Sequence, residues 1–133
     1  MSTPPLVVFP DVEAAVTGYL RQQLDIGVTV GTEWPEDLAE NLPVVAVSRG
    51  GGATYARLVL DEPTLDIDVL ATDKAAAHDL AQQVRGHIFA AEGTRLGDVL
   101  ICRVEDSSLI WLPDPTTASP RYVLVMSLRV RPA

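Results

Sequence analysis

The stretch Leu65-Asp66-Ile67-Asp68-Val69-Leu70-Ala71 decides the fold. Leu65, Ile67 and Val69 alternate with two aspartates, and a period of two places the three apolar side chains on one face of a β-strand. The aspartates then lie on the opposite face, which is expected to face solvent. Because only one face is apolar, the strand predicts a sheet that other elements cover on one side.

Two amphipathic helices flank this strand. The first is predicted over residues 11–24 with Asp11 as N-cap, and the second over residues 74–91 with Asp73 as N-cap. In both segments apolar residues recur at three- and four-residue spacing, which predicts one buried stripe per helix. The stripes consist of Val12, Ala15, Val16, Tyr19 and Leu20 in the first helix, and Ala77, Leu80, Ala81, Val84 and Ile88 in the second.

The rest of the chain predicts mainly strands. They are expected at residues 28–30, 42–47, 55–60, 99–104 and 121–130. Residues 109–112 are expected to continue the strand 99–104 after an irregularity at Ser107-Ser108. Asp61-Glu62-Pro63 predicts a bend or bulge, because proline cannot donate to a strand ladder. Helices are too few for a doubly wound fold. The predicted class is therefore α+β, a mainly antiparallel sheet with two helices packed on one face.

Length and composition predict one domain. The 133 residues are 47% hydrophobic, which suits a globular core of ordinary size. Pro4, Pro5 and Pro10 prevent regular helix at the start, so residues 1–10 are expected to form an extended arm and residues 11–133 a single α+β domain. Acidic residues outnumber basic ones by 18 to 10, for a net charge of -8, which argues against sequence-independent binding of nucleic acid.

Cysteine content and hydropathy predict the compartment. The single cysteine, Cys102, excludes an intramolecular disulfide, and its apolar surroundings predict a buried, inert thiol. No apolar stretch approaches the ~20 residues that span a bilayer, and the first residues lack the basic region of a signal peptide. A soluble protein made in the cytoplasm, with no membrane partner, is expected.

Residues that could carry chemistry form no catalytic set. His78 and His87 lack the spacing that would let them share a metal ion. The paired carboxylates Asp66 and Asp68 are interpreted as the solvated side of a strand, because the sequence supplies no partner with which they could divide acid and base catalysis. The serines lack a nucleophile motif. The sequence predicts no enzyme activity, no metal and no cofactor.

Gly50-Gly51-Gly52 has two possible interpretations, a phosphate-binding loop and a hairpin tip. A phosphate loop precedes a helix, whereas strand-forming residues follow here, so a hairpin tip with Arg49 beside it is favoured. The proline-rich segment 113–120 is expected to be a second loop. Exposed loops and extended arms on a small sheet are common docking devices, so both segments and the arm are candidate contact surfaces.

Nearly the whole chain resembles the tail terminator proteins of long-tailed, siphovirus-type bacteriophages. The resemblance lies in the order of elements rather than in a short motif. It is carried by the opening helix Phe9-Pro10-Asp11-Val12-Glu13-Ala14-Ala15-Val16-Thr17-Gly18-Tyr19-Leu20-Arg21, then Leu42-Pro43-Val44-Val45, the Arg49-Gly50-Gly51-Gly52 hairpin, the strand 65–71, the helix start Asp73-Lys74-Ala75-Ala76-Ala77-His78-Asp79-Leu80-Ala81, and a Trp111-Leu112-Pro113-Asp114-Pro115 turn before the last strand.

This resemblance implies a virion structural protein at the head-proximal end of the tail. A homohexameric ring would cap the tail tube, stop its polymerisation and join the tail to the neck or connector protein, while genomic DNA passes through the lumen without specific binding. The candidate contact residues are Arg49, Gly50, Gly51, Gly52, Pro113, Asp114, Pro115 and Arg121. Ion pairs between subunits are also considered for Arg57, Arg129 and Arg131.

Two alternatives stay open. One is another head–tail connector of the same virion, a neck stopper or head-completion protein. The other is a small dimeric α+β enzyme or ligand-binding domain, which requires a concave apolar pocket with converging polar groups. A deep pocket that holds His78 or His87 beside a carboxylate would favour the second alternative.

Overall fold

The alternating stretch forms the central strand of the sheet. In a computed structural model, which describes residues 6–56 and 59–133 and all their side chains except those at 55, 56, 106 and 107, this strand is β3 (Leu60–Leu70). The side chains of Leu65, Ile67 and Val69 are fully buried, as the period of two predicts. The strand lies between two antiparallel neighbours, one on each side.

The described residues form one six-stranded sheet and three helices. The strand order is β1-β2-β3-β6-β5-β4, in which only β1 and β2 are parallel. A mainly antiparallel sheet is thus confirmed, with one parallel edge. The elements are α1 (Val12–Gln23), β1 (Thr29–Gly31), α2 (Leu38–Asn41), β2 (Val44–Ala56), β3, α3 (Lys74–Ala90), β4 (Arg95–Leu96), β5 (Val99–Trp111) and β6 (Arg121–Pro132).

Both long helices begin at the predicted caps. Oδ1 of Asp11 accepts a hydrogen bond from the backbone N–H of Ala14 at 3.1 Å, and Oδ1 of Asp73 accepts one from Ala76 at 2.8 Å. The stripes of α1 and α3 pack with the inward residues of the sheet in one core. This core includes Val16, Leu20, Val84, Ile88, Ile67, Leu124, Met126 and Leu128.

The opposite face of the sheet is partly covered, which the sequence analysis did not anticipate. Leu38 of the short helix α2 packs against Val44 and Leu70 in a second, smaller cluster, with Trp34 at its margin. Neighbouring residues of a strand point to opposite faces, and Val45 and Val69 belong to the main core, so α2 lies on the outer face. The prediction of two helices on one face therefore describes only part of the helical structure.

The glycine run lies inside a strand, and the prediction of a hairpin tip there is wrong. β2 continues through Gly51 and Gly52, which pair with Thr64 and Pro63 of β3. The chain reverses instead between Ala56 and Leu60, where residues 57–58 lie outside the described part, so the predicted strand at 55–60 is also wrong. Glycines tolerate a strand irregularity without ending the strand.

Two further predictions about strands have different outcomes. β5 is continuous and has its irregularity between Asp106 and Ser108, as expected. The predicted bend at 61–63 is wrong, because β3 pairs with β2 at each of these residues and the register shifts lie on β2. Cys102 is exposed rather than buried. It follows the buried Ile101, so the alternation along β5 points its side chain away from the core, and the register shift between Ile101 and Arg103 lies at this residue.

Candidate assembly surfaces

The residues Arg49–Gly52, here called the glycine bulge, form one of the two predicted contact surfaces. Arg49 pairs with Leu65 and Gly51 with Thr64, so Gly50 is the extra residue that β3 does not match. A Cβ atom on Gly50 would collide with the carboxylate of Asp66. One on Gly52, where φ is +93°, would collide with the carbonyl oxygen of Glu62. The close approach of the β3 backbone therefore requires glycine at position 52, whereas at position 50 the side chain of Asp66 would have to shift.

Arg49 is held by its own chain. Its guanidinium donates two hydrogen bonds to the carboxylate of Asp61, at 2.7 and 3.1 Å, and Nε donates to the carbonyl oxygen of Gly51 at 2.9 Å. The backbone N–H of Arg49 donates to Oε2 of Glu13 in α1 at 3.3 Å. The hydrogen bonds that Arg49 donates to Asp61 raise the pKa of Arg49. The side chain is 35% exposed, yet it serves first to lock the bulge onto β3 and α1.

Asp61→Ala is expected to lower the free energy of unfolding by about 1–2 kcal/mol, because it removes a bidentate pair whose carboxylate is almost buried. Urea denaturation followed by circular dichroism measures the change. The matched control is Glu105→Ala, which breaks the exposed Arg103–Glu105 pair at 3.1 Å and should cost under about 1 kcal/mol. Equal losses in the two variants would contradict the structural role of Arg49.

The second predicted surface, here called the proline loop, is residues 113–120. Its centre is Asp114, whose carboxylate accepts hydrogen bonds from the backbone N–H and the hydroxyl of Thr117, at 2.9 and 2.5 Å. The carbonyl oxygen of Asp114 accepts from Ala118 at 2.8 Å. Asp114 is therefore buried as the anchor of a closed turn, and Pro113 and Pro115 are the exposed members.

The hydrogen bonds of Thr117 lower the pKa of Asp114, with its hydroxyl the largest cause. A lowered folded-state pKa adds stability above the ordinary value of about 3.9, and that stability is lost as the pH falls through the folded-state pKa. Thr117→Val is expected to raise the pKa of Asp114 toward its ordinary value. An NMR titration of the Asp114 carboxyl carbon measures this shift, and an identical pKa in both proteins would contradict the assignment.

Arg121, at the start of β6, also has partners within the chain. Its Nε donates to the carbonyl oxygen of Leu112 at 2.8 Å, and its guanidinium lies 5.3 Å from the ring centre of Trp34 and 3.8 Å from the carboxylate of Asp68. Asp68 in turn accepts a hydrogen bond from the indole N–H of Trp34 at 2.9 Å. This cluster holds the segment before α2 against the outer face of the sheet, and no sequence pattern indicated it.

The other arginines considered for ion pairs between subunits differ in their surroundings. Nε of Arg129 donates to Oε2 of Glu62 at 3.0 Å within the sheet. Arg131 is exposed at the end of β6, and Arg57 lies outside the described residues. Residues 1–5 of the predicted arm also lie outside that part of the chain, whereas residues 6–10 belong to no helix or strand.

The glycine bulge, near the middle of β2, and the proline loop, at one end of the sheet, are separated along the strands. Gly51 and Gly52 pair with Thr64 and Pro63, whereas the proline loop ends beside Leu70 and Ala71, where Ala71 donates to the carbonyl oxygen of Pro120 at 3.2 Å. At about 3.3 Å per residue, the stretch of β3 between them spans roughly 20 Å. The structure therefore does not bring the predicted contact residues together into one site.

Comparison with known proteins identifies the family. The fold is similar to that of a chain in a solved structure described as the virion of a native gene transfer agent particle, with a TM-score of 0.66 and 18% identity over 90% of this chain and 94% of that chain. No curated protein sequence matches. A family model described as phage tail termination protein matches residues 8–99. The chain belongs to that family. It is a phage virion component with a structural role in the tail or the head–tail region.

The histidines of this tail termination protein lie apart from its grooves. Three open grooves of about 200–300 Å³ are lined by other residues, the first of them by Tyr19 and Arg95 between α1 and β4. His78 faces the ring of Tyr122, and the carbonyl oxygen of His87 accepts the Tyr19 hydroxyl at 2.7 Å. Burial raises the pKa of Tyr19. Among the described residues no group of histidine, cysteine or carboxylate side chains could hold a metal ion.

Within residues 6–56 and 59–133, no helix is both long enough and apolar enough to cross a membrane.

Proposed function

We propose that this chain is the tail terminator of the phage that encodes it. It forms a homohexameric ring on the last ring of the tail tube, stops tube polymerisation and presents a surface to the neck protein. It acts by shape, without making or breaking covalent bonds. The observation that carries this proposal is the family match, which spans α1 to the start of β5.

The separation of the two contact surfaces supports a ring between two different partners. A closed ring of identical subunits uses head-to-tail side contacts and leaves two unlike faces, one above and one below. The glycine bulge and the proline loop are separated by roughly 20 Å along β3, and both expose several residues. One surface can therefore meet the tail tube while the other meets the neck.

The charge of the chain supports passage of DNA through such a ring. A net charge of -8 per subunit gives the assembled ring a strongly acidic surface, which repels the phosphate backbone. DNA would then move through the lumen without being held. The chain would assemble in the host cytoplasm and remain in the virion at the head-proximal end of the tail.

Deletion of the gene from its phage tests the proposal. Electron micrographs of lysates are expected to show overlong tails without heads, and the wild-type gene supplied in trans should restore tails of fixed length joined to heads. Tails of normal length that lack heads would instead identify a neck stopper or head-completion protein. Normal, infective particles would overturn both assignments.

Bulky substitutions at the two surfaces are expected to separate the two tasks. Ala53→Trp, beside the glycine bulge, and Thr116→Trp, in the proline loop, both change exposed residues, so neither should prevent folding. We expect one variant to give overlong tails and the other to give tails of normal length without heads. The variants are controls for each other, and the same defect in both would contradict a division between two faces.

A further inference from the structure

Most of strand β5 is an open edge of the sheet. The two-residue strand β4 pairs only with Val99 and Leu100, and in the described part of the chain no other strand pairs with β5 on that side. Further along the same edge, the backbone N–H of Val104 is also satisfied, because it donates to Oε1 of Glu92 at 2.9 Å. From residue 105 to residue 111 the edge is open, and this segment is called the open edge below.

The backbone of the open edge is oriented to accept another strand. The N–H of Leu112 donates to the carbonyl oxygen of Arg121 at 3.0 Å, so it points toward β6. Because backbone groups alternate along a strand, the N–H and C=O groups of Leu109 and Trp111 point away from β6. An exposed row of this kind is a template for strand addition by another segment.

The same chain carries an unpaired segment suited to that template. Residues 6–9, Leu-Val-Val-Phe, are rich in β-formers, belong to no strand, and leave Leu6 88% and Val8 71% exposed. Pro5 and Pro10 have no N–H to donate and therefore limit an added strand to these four residues. Residues 1–10 contain no charged side chain, so they approach a chain of charge -8 without repulsion.

We propose that residues 6–9 of one subunit add as a strand to the open edge of the next subunit. This inference rests on the proposed function, because it supplies the side contact of the ring. The donor and the acceptor are different surfaces of the chain: α1, which follows the arm, contacts β2 through Glu13 and Arg49, whereas the acceptor is residues 105–111 of β5. Such an arrangement produces a head-to-tail contact, which closes into a ring. The added strand also covers Ile110, which is 48% exposed.

Chemical cross-linking within assembled tails tests the contact. In a Cys102→Ser background, Val8→Cys is combined with either Ile110→Cys or Ser108→Cys. The two acceptor positions allow for two different alignments of the added strand along β5. Tails purified from phage that carry these genes are treated with a short bis-maleimide. We expect at least one pair to give a denaturation-resistant ladder of dimers and larger multimers of this chain. The matched control, Val8→Cys with the fully exposed Ile26→Cys, should give no ladder.

Each other outcome has a defined meaning. Tails of normal length that contain the protein but give no ladder with either pair would overturn the strand contact and leave the tail terminator function intact. Cross-links within one subunit, or to a different tail protein, would also overturn it, because the arm would then have another acceptor. Absence of the chain from purified tails would overturn both the proposed function and the contact.

Discussion

Replacing Ile67 by alanine is expected to lower the free energy of unfolding by about 2–5 kcal/mol. Ile67 is fully buried at the centre of β3, where it pairs with Val47 of β2 and with Leu124 of β6. All three side chains belong to the core that α1 and α3 cover. Removing three carbon atoms there leaves a cavity that a close-packed sheet cannot fill by relaxing. Urea denaturation followed by tryptophan fluorescence measures the loss.

Ile110→Ala is the matched control for this core substitution. It makes the same chemical change in the same sheet, but the side chain is about half exposed and outside the core. We expect a loss below about 1 kcal/mol and an unchanged dependence on urea concentration. A loss as large as that of Ile67→Ala would mean that the outer side of β5 is covered within the monomer, against the structure.

Gly52→Ala is expected to lower the free energy of unfolding by about 2–4 kcal/mol. Its φ of +93° is unfavourable for any residue with a side chain, which costs about 1–3 kcal/mol. The added Cβ would also collide with backbone atoms of β3, including Cα of Pro63 and N of Thr64, both 2.8 Å away. Backbone atoms within a paired strand cannot move aside without breaking the ladder, so the collision adds to the strain.

Gly18→Ala should have the opposite sign. Gly18 lies inside α1, and a Cβ atom there would meet nothing within 4 Å. Alanine favours helix over glycine, so the variant should be more stable by about 0.5–1 kcal/mol. The two glycine-to-alanine variants are measured side by side by thermal and urea denaturation. Stabilisation by Gly52→Ala, or a large loss from Gly18→Ala, would contradict the assigned backbone geometry.

The elements that follow a simple local rule are the ones the sequence predicts well. The alternation around Ile67 identifies its buried face, and Asp11 and Asp73 mark the starts of the two long helices. The proline loop is equally recognisable from its composition. In these cases the environment of each residue depends on neighbours within one or two helical turns or within the same strand. The local sequence pattern is therefore enough to predict the element and its buried face.

The features that were missed depend on partners distant in the sequence. Gly50 to Gly52 look like a chain reversal, but they lie inside β2, and at Gly52 the backbone of β3 approaches too closely for a side chain. Arg49 and Arg121 also have partners within the chain that no sequence pattern indicated, namely Asp61 and the Trp34–Asp68 pair. Cys102 is an exception, because alternation from the buried Ile101 already points its side chain outward.

The outward turn of Cys102 has a practical consequence. Each copy of the protein carries one cysteine, and its thiol is accessible to solvent without any mutation. A single maleimide-linked fluorophore can therefore be attached to every subunit at the same place. Counting photobleaching steps on individual labelled particles would then give the number of copies per particle directly.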